Sequence, residues 1–328
     1  MRRHCNFSAG AAAPGLSAGW VFKAEVLLLS GERSMLLTDF PARSHTAWRT
    51  VAPLAQCRRE LHNMAFAAHH PLAGHQLFTI DALAKVAEDA CKRKGDVYVD
   101  AGDLTLADKW GSTPRPNMTI PEIIDRIETA GAWLVMKHVE VNPAYKALLN
   151  DYEAFVRDVA GPEGSALLSN AEMLVFITSP RRKTPFHFDA EVNFLVQIQG
   201  SKDLWVCDPT DRTVTTEEEL EQYYSGAMNA GTYKPHAEKL ATQFTLHPGD
   251  AVHIPTHGAH WVQNHDNVSI SLSLNMEFPR RYGDTYRANH YMRKLGLKPR
   301  PPGSSEWIDR SKAVAIDGLR QVKSLIKR

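Results

Sequence analysis

The chain has 328 residues, 43% of them hydrophobic and 23% charged, with a formal net charge of +1. This is globular composition, long enough for one large domain with appendages or for two domains, and so even a balance offers no field for nucleic acid or a membrane surface. Cys5, Cys57, Cys91 and Cys207 lie far apart with no CxxC pair, which excludes a zinc ribbon or a disulfide scaffold and points to reduced thiols in a cytoplasmic protein. No apolar run approaches the roughly 18 residues of a membrane span.

Residues 1–30 begin MRRHCNFSAG and continue in small Gly, Ala and Ser residues, without the unbroken apolar stretch of a secretion signal; they read as a disordered extension. Residues 31–131 read as mainly helical. The spacing of Leu54, Leu61, Met64 and Ala65 predicts a helix over 52–68. A second helix is predicted over 81–93, capped by Asp81, striped by Leu83, Val86, Ala87 and Ala90, and ended by Gly95. DVYVD (96–100) alternates as a short strand, and Pro121 opens a helix running to Thr129.

From Ala132 the pattern turns to β. AWLVMKHVEV reads as a strand, followed by a helix over 143–159. MLVFITSP (173–180), VNFLVQIQG (192–200), DLWVCDP (203–209), QFTLHPGD (243–250), AVHIP (251–255) and VSISLSLNMEF (268–278) are short strand-like runs broken by Gly, Pro and Asp turns. Such a series predicts a β-sandwich or barrel over 132–283. The polar stretch 211–240, helical at TEEELEQYY, reads as an insertion. Residues 284–328 form a helical C-terminal segment. Its last helix, Ser304–Arg328, carries an apolar stripe of Trp307, Ile308, Val314, Ile316, Leu319, Val322 and Ile326, to be buried on its own core or on a second copy.

On a strand, residues i and i+2 share a face, so His187 and Asp189 in TPFHFDAEVNF can reach one metal ion while Phe188 points away. HPGDAVHIPTHGAHWV offers His253, His257 and His260 as a third ligand. Inside its strand, His253 reads as an outward imidazole, and His257 as a turn residue that either supports the metal ligands from behind or faces substrate; the residues alone leave the choice open. Two imidazoles and one carboxylate leave three adjacent positions open on Fe(II). One HxD pair among 15 histidines is weak by itself. Its conjunction, in order, with a Gly turn carrying Lys, a Pro-Gly-Asp turn, and Ile-Pro followed by a histidine is far more specific.

With those motifs, residues 132–278 resemble the cupin-like branch of the JmjC dioxygenases, the group that includes asparaginyl hydroxylases. The resemblance implies a fold that is mainly β with helical flanks: a double-stranded β-helix (jelly-roll, cupin) barrel with N-terminal α/β elements and C-terminal helices. It implies Fe(II), with 2-oxoglutarate and O2 as co-substrates. It places the metal ligands on His187, Asp189 and His260, the last five residues past Pro255. It assigns the C5 carboxylate of 2-oxoglutarate to Lys202, fifteen residues after His187, with Thr184 in support. Asn193 and Asn275 are expected to line the co-substrate and metal region. Gly258 and Ala259 stand where family members often carry aromatic residues, and the family's carboxylate-binding tyrosine has only Tyr98 and Tyr145 as upstream candidates.

The expected reaction is hydroxylation of a protein or peptide side chain, or of a small metabolite, with release of succinate and CO2. The expected partners are that substrate and a second copy of the chain, a homodimer through the C-terminal helix. The alternatives are a metal-binding cupin acting as a regulatory or binding module, and a metal cupin enzyme that does not use 2-oxoglutarate. An intact ligand set argues against the first, and Lys202 with Thr184 against the second. Arg181-Arg182-Lys183 reads as a solvated loop, the alternative being a patch that steers an acidic substrate.

Overall fold

The computed structural model describes residues 45–109, 111–277 and 280–326, so the extension expected over 1–30 lies outside the described residues. The N-terminal part alternates short elements: β1 (Arg49–Thr50), α1 (Leu54–Glu60), β2 (Phe66–His69), α2 (Ile80–Ala90), β3 (Val97–Ala101), α3 (Ile120–Asp125) and β4 (Ala132–Met136). The helix expected over 52–68 stops at Glu60. Phe66–His69 then runs as a strand because it pairs with residues 250–253 and is buried along its whole length, so tertiary pairing overrides local spacing. Thr79, not Asp81, caps α2, its hydroxyl accepting from Ala82 N. α3 opens on a capping box between Thr119 and Glu122. α4 (Pro143–Ser165) outruns its expected end, joining two helical pieces across a kink at Gly161 (φ 72°) and Pro162.

The β-rich part supplies β5 (Ser169–Thr178), β6 (Lys183–His187), β7 (Val192–Gln199) and β8 (Lys202–Val206). An insertion with α5 (Glu217–Tyr224) and α6 (Ala237–Leu240) follows, then β9 (Thr242–Leu246), β10 (Asp250–Ile254), β11 (His260–Asn264) and β12 (Ser269–Glu277). α7 (Arg280–Lys294) and α8 (Glu306–Ile326) complete it. The strands form an eight-stranded sheet, β1-β2-β10-β7-β12-β5-β4-β3, and a four-stranded sheet, β6-β11-β8-β9. Leu195, Val252 and Ile254 of the larger sheet meet Leu204, Phe244, Leu246 and Val262 of the smaller in one buried cluster. Two facing antiparallel sheets with helices outside are the jelly-roll that the motifs implied. β1, β2 and β3, from the region read as mainly helical, widen the larger sheet at its edges.

The period of two decides what the barrel interior contains. In β12, Ile270, Leu272, Leu274 and Met276 enter the core shared with α1–α4, which turns Ser269, Ser271 and Ser273 to the opposite face. In β7, Val192, Phe194, Val196 and Ile198 join the same core, leaving Asn193, Leu195 and Gln197 toward the second sheet. A row of hydroxyls and amides thus lines an otherwise apolar interior. On α8, Ile316 is buried, but Trp307, Val314, Leu319 and Val322 are exposed. Among the described residues no helix is long and apolar enough to cross a membrane.

Candidate metal centre and adjoining cavities

β6 and β11 are neighbours, and His260 pairs directly opposite His187, with a bulge between His260 and Val262. Asp189 follows just past the end of β6. One ligand-type atom from each of His187, Asp189 and His260 lies within 4.8 Å of the others. His187 Nε2 and His260 Nε2 stand 3.9 and 3.7 Å from the same oxygen, Asp189 Oδ2. Facial ligands with metal bonds of about 2.0–2.2 Å stand roughly 3 Å apart, so these atoms would draw together by up to about 1 Å around an ion.

The backbone sets the tautomers. His187 Nδ1 donates to the Pro185 carbonyl at 2.8 Å, and His260 Nδ1 to the Gly258 carbonyl at 2.9 Å. A carbonyl only accepts, so Nδ1 carries the proton and each Nε2 keeps its lone pair for the cluster. Burial, and after it the neighbouring His187, pushes His260 down to about 4, which keeps it neutral as a ligand must be. Two nitrogens and a carboxylate gathered at one edge suit a divalent transition metal.

His253 is no competitor. It is fully buried on β10 with its ring nitrogens 3.1 and 2.6 Å from the carbonyls of Asn193 and Leu61, because the turn after α1 covers that face. Its imidazole points out of the barrel, as expected, but is covered there rather than exposed. His257 sits in the turn after β10 in the left-handed region (φ 67°), and its backbone N–H donates to Asp189 O at 2.8 Å.

A narrow cavity of about 50 Å³ leads from His187 and His260 into the barrel. Lys202 lines it, 4% exposed, its Nζ donating to Ser271 Oγ at 2.8 Å. Burial pushes its ammonium down to about 7, and no carboxylate among the described residues offsets that. Thr184 lines the same cavity. Asn193 and Asn275 are paired across β7 and β12 and joined through Ser273. Asn193 Nδ2 donates to Ser273 Oγ at 2.8 Å, and that hydroxyl donates to Asn275 Oδ1 at 3.0 Å. Ser273, rather than either asparagine, forms the cavity wall.

Tyr145 and Tyr98 lie elsewhere, Tyr145 donating to Leu77 O at 2.5 Å and Tyr98 to Asp100 Oδ2 at 3.0 Å. Trp133, Thr178 and Asn264 contribute to the wall instead. Ser271, Ser273 and Asn264 went unread in the sequence, although the Ser-x-Ser-x-Ser alternation of β12 announces the first two. The basic run before the site also divides. Arg181 pairs with exposed Asp266, but Arg182 is buried and bonded to Asp100, so it is neither a solvated loop residue nor a steering charge.

A larger cavity of about 1080 Å³ begins at Ala190 and Glu191, the residues that follow Asp189. Thr256 and His257, Tyr224 of α5, Tyr286 and Arg287 of α7 and Arg320 of α8 also line it. The rings of Tyr224 and Tyr286 stack at 5.3 Å and 2°, and His257 crosses both near a right angle. The Tyr224 hydroxyl is 2.8 Å from His257 Nε2. Burial, and then the charge of Asp189, pushes Glu191 up to about 7. No spacing in the sequence marks Glu191, Tyr224 or Tyr286.

No curated protein sequence matches the chain. Among solved structures it resembles Escherichia coli ycfD, with a TM-score of 0.48 and 13% identity over 86% of this chain and 69% of that one. It also resembles the Escherichia coli ribosomal oxygenase YcfD in complex with cobalt and 2-oxoglutarate, with a TM-score of 0.44 and 15% identity over 85% and 68%. A family model described as a cupin-like domain matches residues 107–279, more than half of the chain. With the barrel and the matched residues together, the chain belongs to the cupin-like domain family.

Proposed function

We propose that the protein is an Fe(II)- and 2-oxoglutarate-dependent oxygenase that hydroxylates a protein or peptide side chain or a small metabolite. The observation that carries this reading is Lys202. A buried ammonium with a serine hydroxyl as its partner and no counter-charge is costly. It faces a cavity whose other end is the His187–Asp189–His260 cluster, so an anion held at both ends satisfies both. A dicarboxylate with a chelating keto-acid head has that form. A cupin enzyme working without 2-oxoglutarate, or a cupin serving only as a binding module, has no use for an unpaired cation at that depth.

On this reading His187 and His260 hold the metal through Nε2 and Asp189 through its carboxylate. Bound there, Fe(II) with 2-oxoglutarate and O2 supplies the oxidising power, and succinate and CO2 are the co-products. Lys202 would donate a charge-assisted hydrogen bond to the C5 carboxylate, Thr184 would add a hydroxyl, and Ser273, held by Asn193 and Asn275, lines the same cavity. Apolar Leu195, Ile254 and Val262 keep the cavity dry, which strengthens each polar contact inside it. Of the described residues, those within 132–283 are the catalytic barrel, those within 31–131 its N-terminal cover, and those within 284–328 help to wall the larger cavity. A second copy covers the exposed apolar side chains of α8, and free Cys57, Cys91 and Cys207 suit a cytoplasmic location.

Calorimetric titration of 2-oxoglutarate into Mn(II)-loaded protein tests the reading. One-to-one binding that weakens on Lys202→Ala is expected. Metal binding without any 2-oxoglutarate binding would end it.

A further inference from the structure

The outer face of the smaller sheet carries a second set of chemically competent side chains. We propose that Ser201 is a nucleophile for acyl transfer from small activated esters, with His265 as its base and Asp203 and Thr245 holding that base in place. None of these residues lines either cavity, so the proposal stands apart from the oxygenase reading.

Lys202 points into the barrel, so its neighbours Ser201 and Asp203 take the outer face. β8 pairs with β11 through Asp203↔Gln263 and Lys202↔Asn264. One step further, the His265 N–H donates to the Ser201 carbonyl at 3.1 Å, which sets the turn after β11 beside the turn before β8. Gly200, at φ 72°, permits the approach, since a Cβ there would collide with Asn267 Oδ1 and the Val268 carbonyl. Ser201 Oγ then lies 2.9 Å from His265 Nδ1, and His265 Nε2 lies 3.1 Å from Asp203 Oδ2.

The hydrogen-bond roles follow from the carboxylate end. A carboxylate only accepts, so His265 Nε2 carries the proton and donates to Asp203. The Thr245 hydroxyl donates to the other Asp203 oxygen at 2.6 Å and fixes its orientation. His265 Nδ1 is left with a lone pair, and the Ser201 hydroxyl at 2.9 Å donates to it. Asn267 Oδ1 accepts from Ser201 N at 2.9 Å, and its Nδ2 donates to Ser201 Oγ at 3.1 Å. That amide nitrogen keeps a second hydrogen for the oxygen of an acyl group held at Ser201. Hydroxyl, base and orienting carboxylate in one hydrogen-bonded series are what activate a serine, and they are recognised by roles, not by chain order.

The His265 side chain is 35% exposed, so the site lies open at the surface and suits small acyl groups. In the step, Ser201 Oγ bonds to the carbonyl carbon and the bond from that carbon to the leaving oxygen breaks. The serine proton passes through His265 Nδ1 to the leaving oxygen. Water repeats the exchange, releasing the free acid and restoring Ser201, with no oxidant and no metal. The rival account is a lock between two turns, in which the same bonds leave the hydroxyl inert.

Reaction of the full-length protein with a fluorophosphonate probe, followed by peptide mass mapping, separates the two. A single adduct at Ser201 is expected, formed at least about a hundredfold faster than at any other serine, the scale of a positioned base. His265→Ala should remove that advantage, and added imidazole should restore part of it. Asp203→Asn should slow labelling and Asp203→Glu should recover part of the rate. The wild type should hydrolyse p-nitrophenyl acetate faster than Ser201→Ala. The wild-type adduct needs no variant, and rescue by imidazole is not a property of a turn lock. An unlabelled Ser201, or adducts spread over surface serines, overturns the proposal in favour of the lock. Labelling of Ser201 that His265→Ala leaves unchanged overturns it too. Failure of 2-oxoglutarate to bind would remove the oxygenase reading and leave this result standing.

Discussion

The narrow inner cavity and the broad outer one meet at the segment His187–Glu191, yet they are built from different material. Every residue lining the inner cavity lies on a strand, drawn from β4, β5, β6, β7, β8, β10, β11 and β12. The outer one is walled mostly by turns, strand ends and helices α5, α7 and α8. A strand side chain is fixed by ladder hydrogen bonds, on both sides for every lining strand except the edge strand β6, and by a period of two, so it cannot shift without its neighbours. Turns and appended helices can change while the ladder stays. On the proposed reading the difference teaches where each task belongs: groups that must hold fixed distances to one another sit on strands, and the groups left to choose a substrate sit on what surrounds them.

That division has a sharp edge at Asp189. Asp189→Ala removes the one carboxylate of the cluster, and Fe(II)-dependent succinate formation should fall below detection while a cooperative thermal transition is kept. Chelation of the metal should stop turnover in the same way and lower the melting temperature by loss of a ligand to the folded state. Turnover that survives Asp189→Ala would detach the chemistry from this cluster altogether.

Lys202 gives the next largest effect. Loss of a hydrogen bond to a charged group costs about 1.5–3 kcal/mol, so Lys202→Ala should raise KM for 2-oxoglutarate by roughly ten- to a hundredfold. Lys202→Arg should rescue it poorly, since the flat guanidinium needs a wider slot. A pH signature accompanies it. The folded-state pKa of about 7 lies below the unfolded value of about 10.4. Between the two, the unfolded chain keeps a proton that the folded chain has released, so the contribution of Lys202 to stability rises with pH across that window. Below it the full penalty of the buried ammonium is present. Lys202→Met should flatten this slope and raise the denaturation midpoint of the metal-free protein near about pH 6. An unchanged slope in Lys202→Met would place the dependence on other groups.

The same division explains what could be read from the sequence. His187 and Asp189 stand two apart, the first ending β6 and the second just beyond it, and that short spacing keeps both at one edge, so the pair is legible from the residues alone. Lys202 is less so: a lysine after a Gly200 turn looks solvated, and only its interval from His187 singles it out. Ser271 and Ser273 are written plainly in SISLSLNM, since the apolar partners fix which face the serines take. β2 could not be read, because the apolar residues of 61–68 fit a helix as well as a strand until β10 pairs with them. Nor could the outer wall. Tyr224, Tyr286 and His257 come from three separate elements, and the packing that gathers them leaves no local period.

α8 belongs to the outer region and should behave so. Leu319 and Val322 are 51% and 53% exposed, with Arg320, a lining residue of the large cavity, between them. Changing both to glutamate should convert a homodimer to a monomer in light scattering. It should move the substrate KM by about two- to twelvefold, the range of a contact worth roughly 0.5–1.5 kcal/mol, and the 2-oxoglutarate KM by less. A wild-type protein that is monomeric at every concentration would remove the second copy from α8.

The smallest change tests the boundary itself. Tyr224→Phe deletes one hydroxyl, 2.8 Å from His257 Nε2, and leaves the ring stacked on Tyr286. Burial holds His257 down to about 3, so the contact is between neutral groups. A neutral hydrogen bond contributes about 0.5–1.5 kcal/mol, or about two- to twelvefold in an affinity. Freed of it, the His257 ring can turn, while its backbone N–H stays bonded to Asp189 O. The loss should therefore appear in kcat/KM for the substrate and only faintly in KM for 2-oxoglutarate. The reverse result, a larger change for 2-oxoglutarate, would mean that the turn at His257 transmits to Asp189 and that the two cavities answer to one another. In that case substrate choice and co-substrate binding are coupled through the left-handed residue at 257, and the strand walls do not insulate the chemistry from what surrounds them.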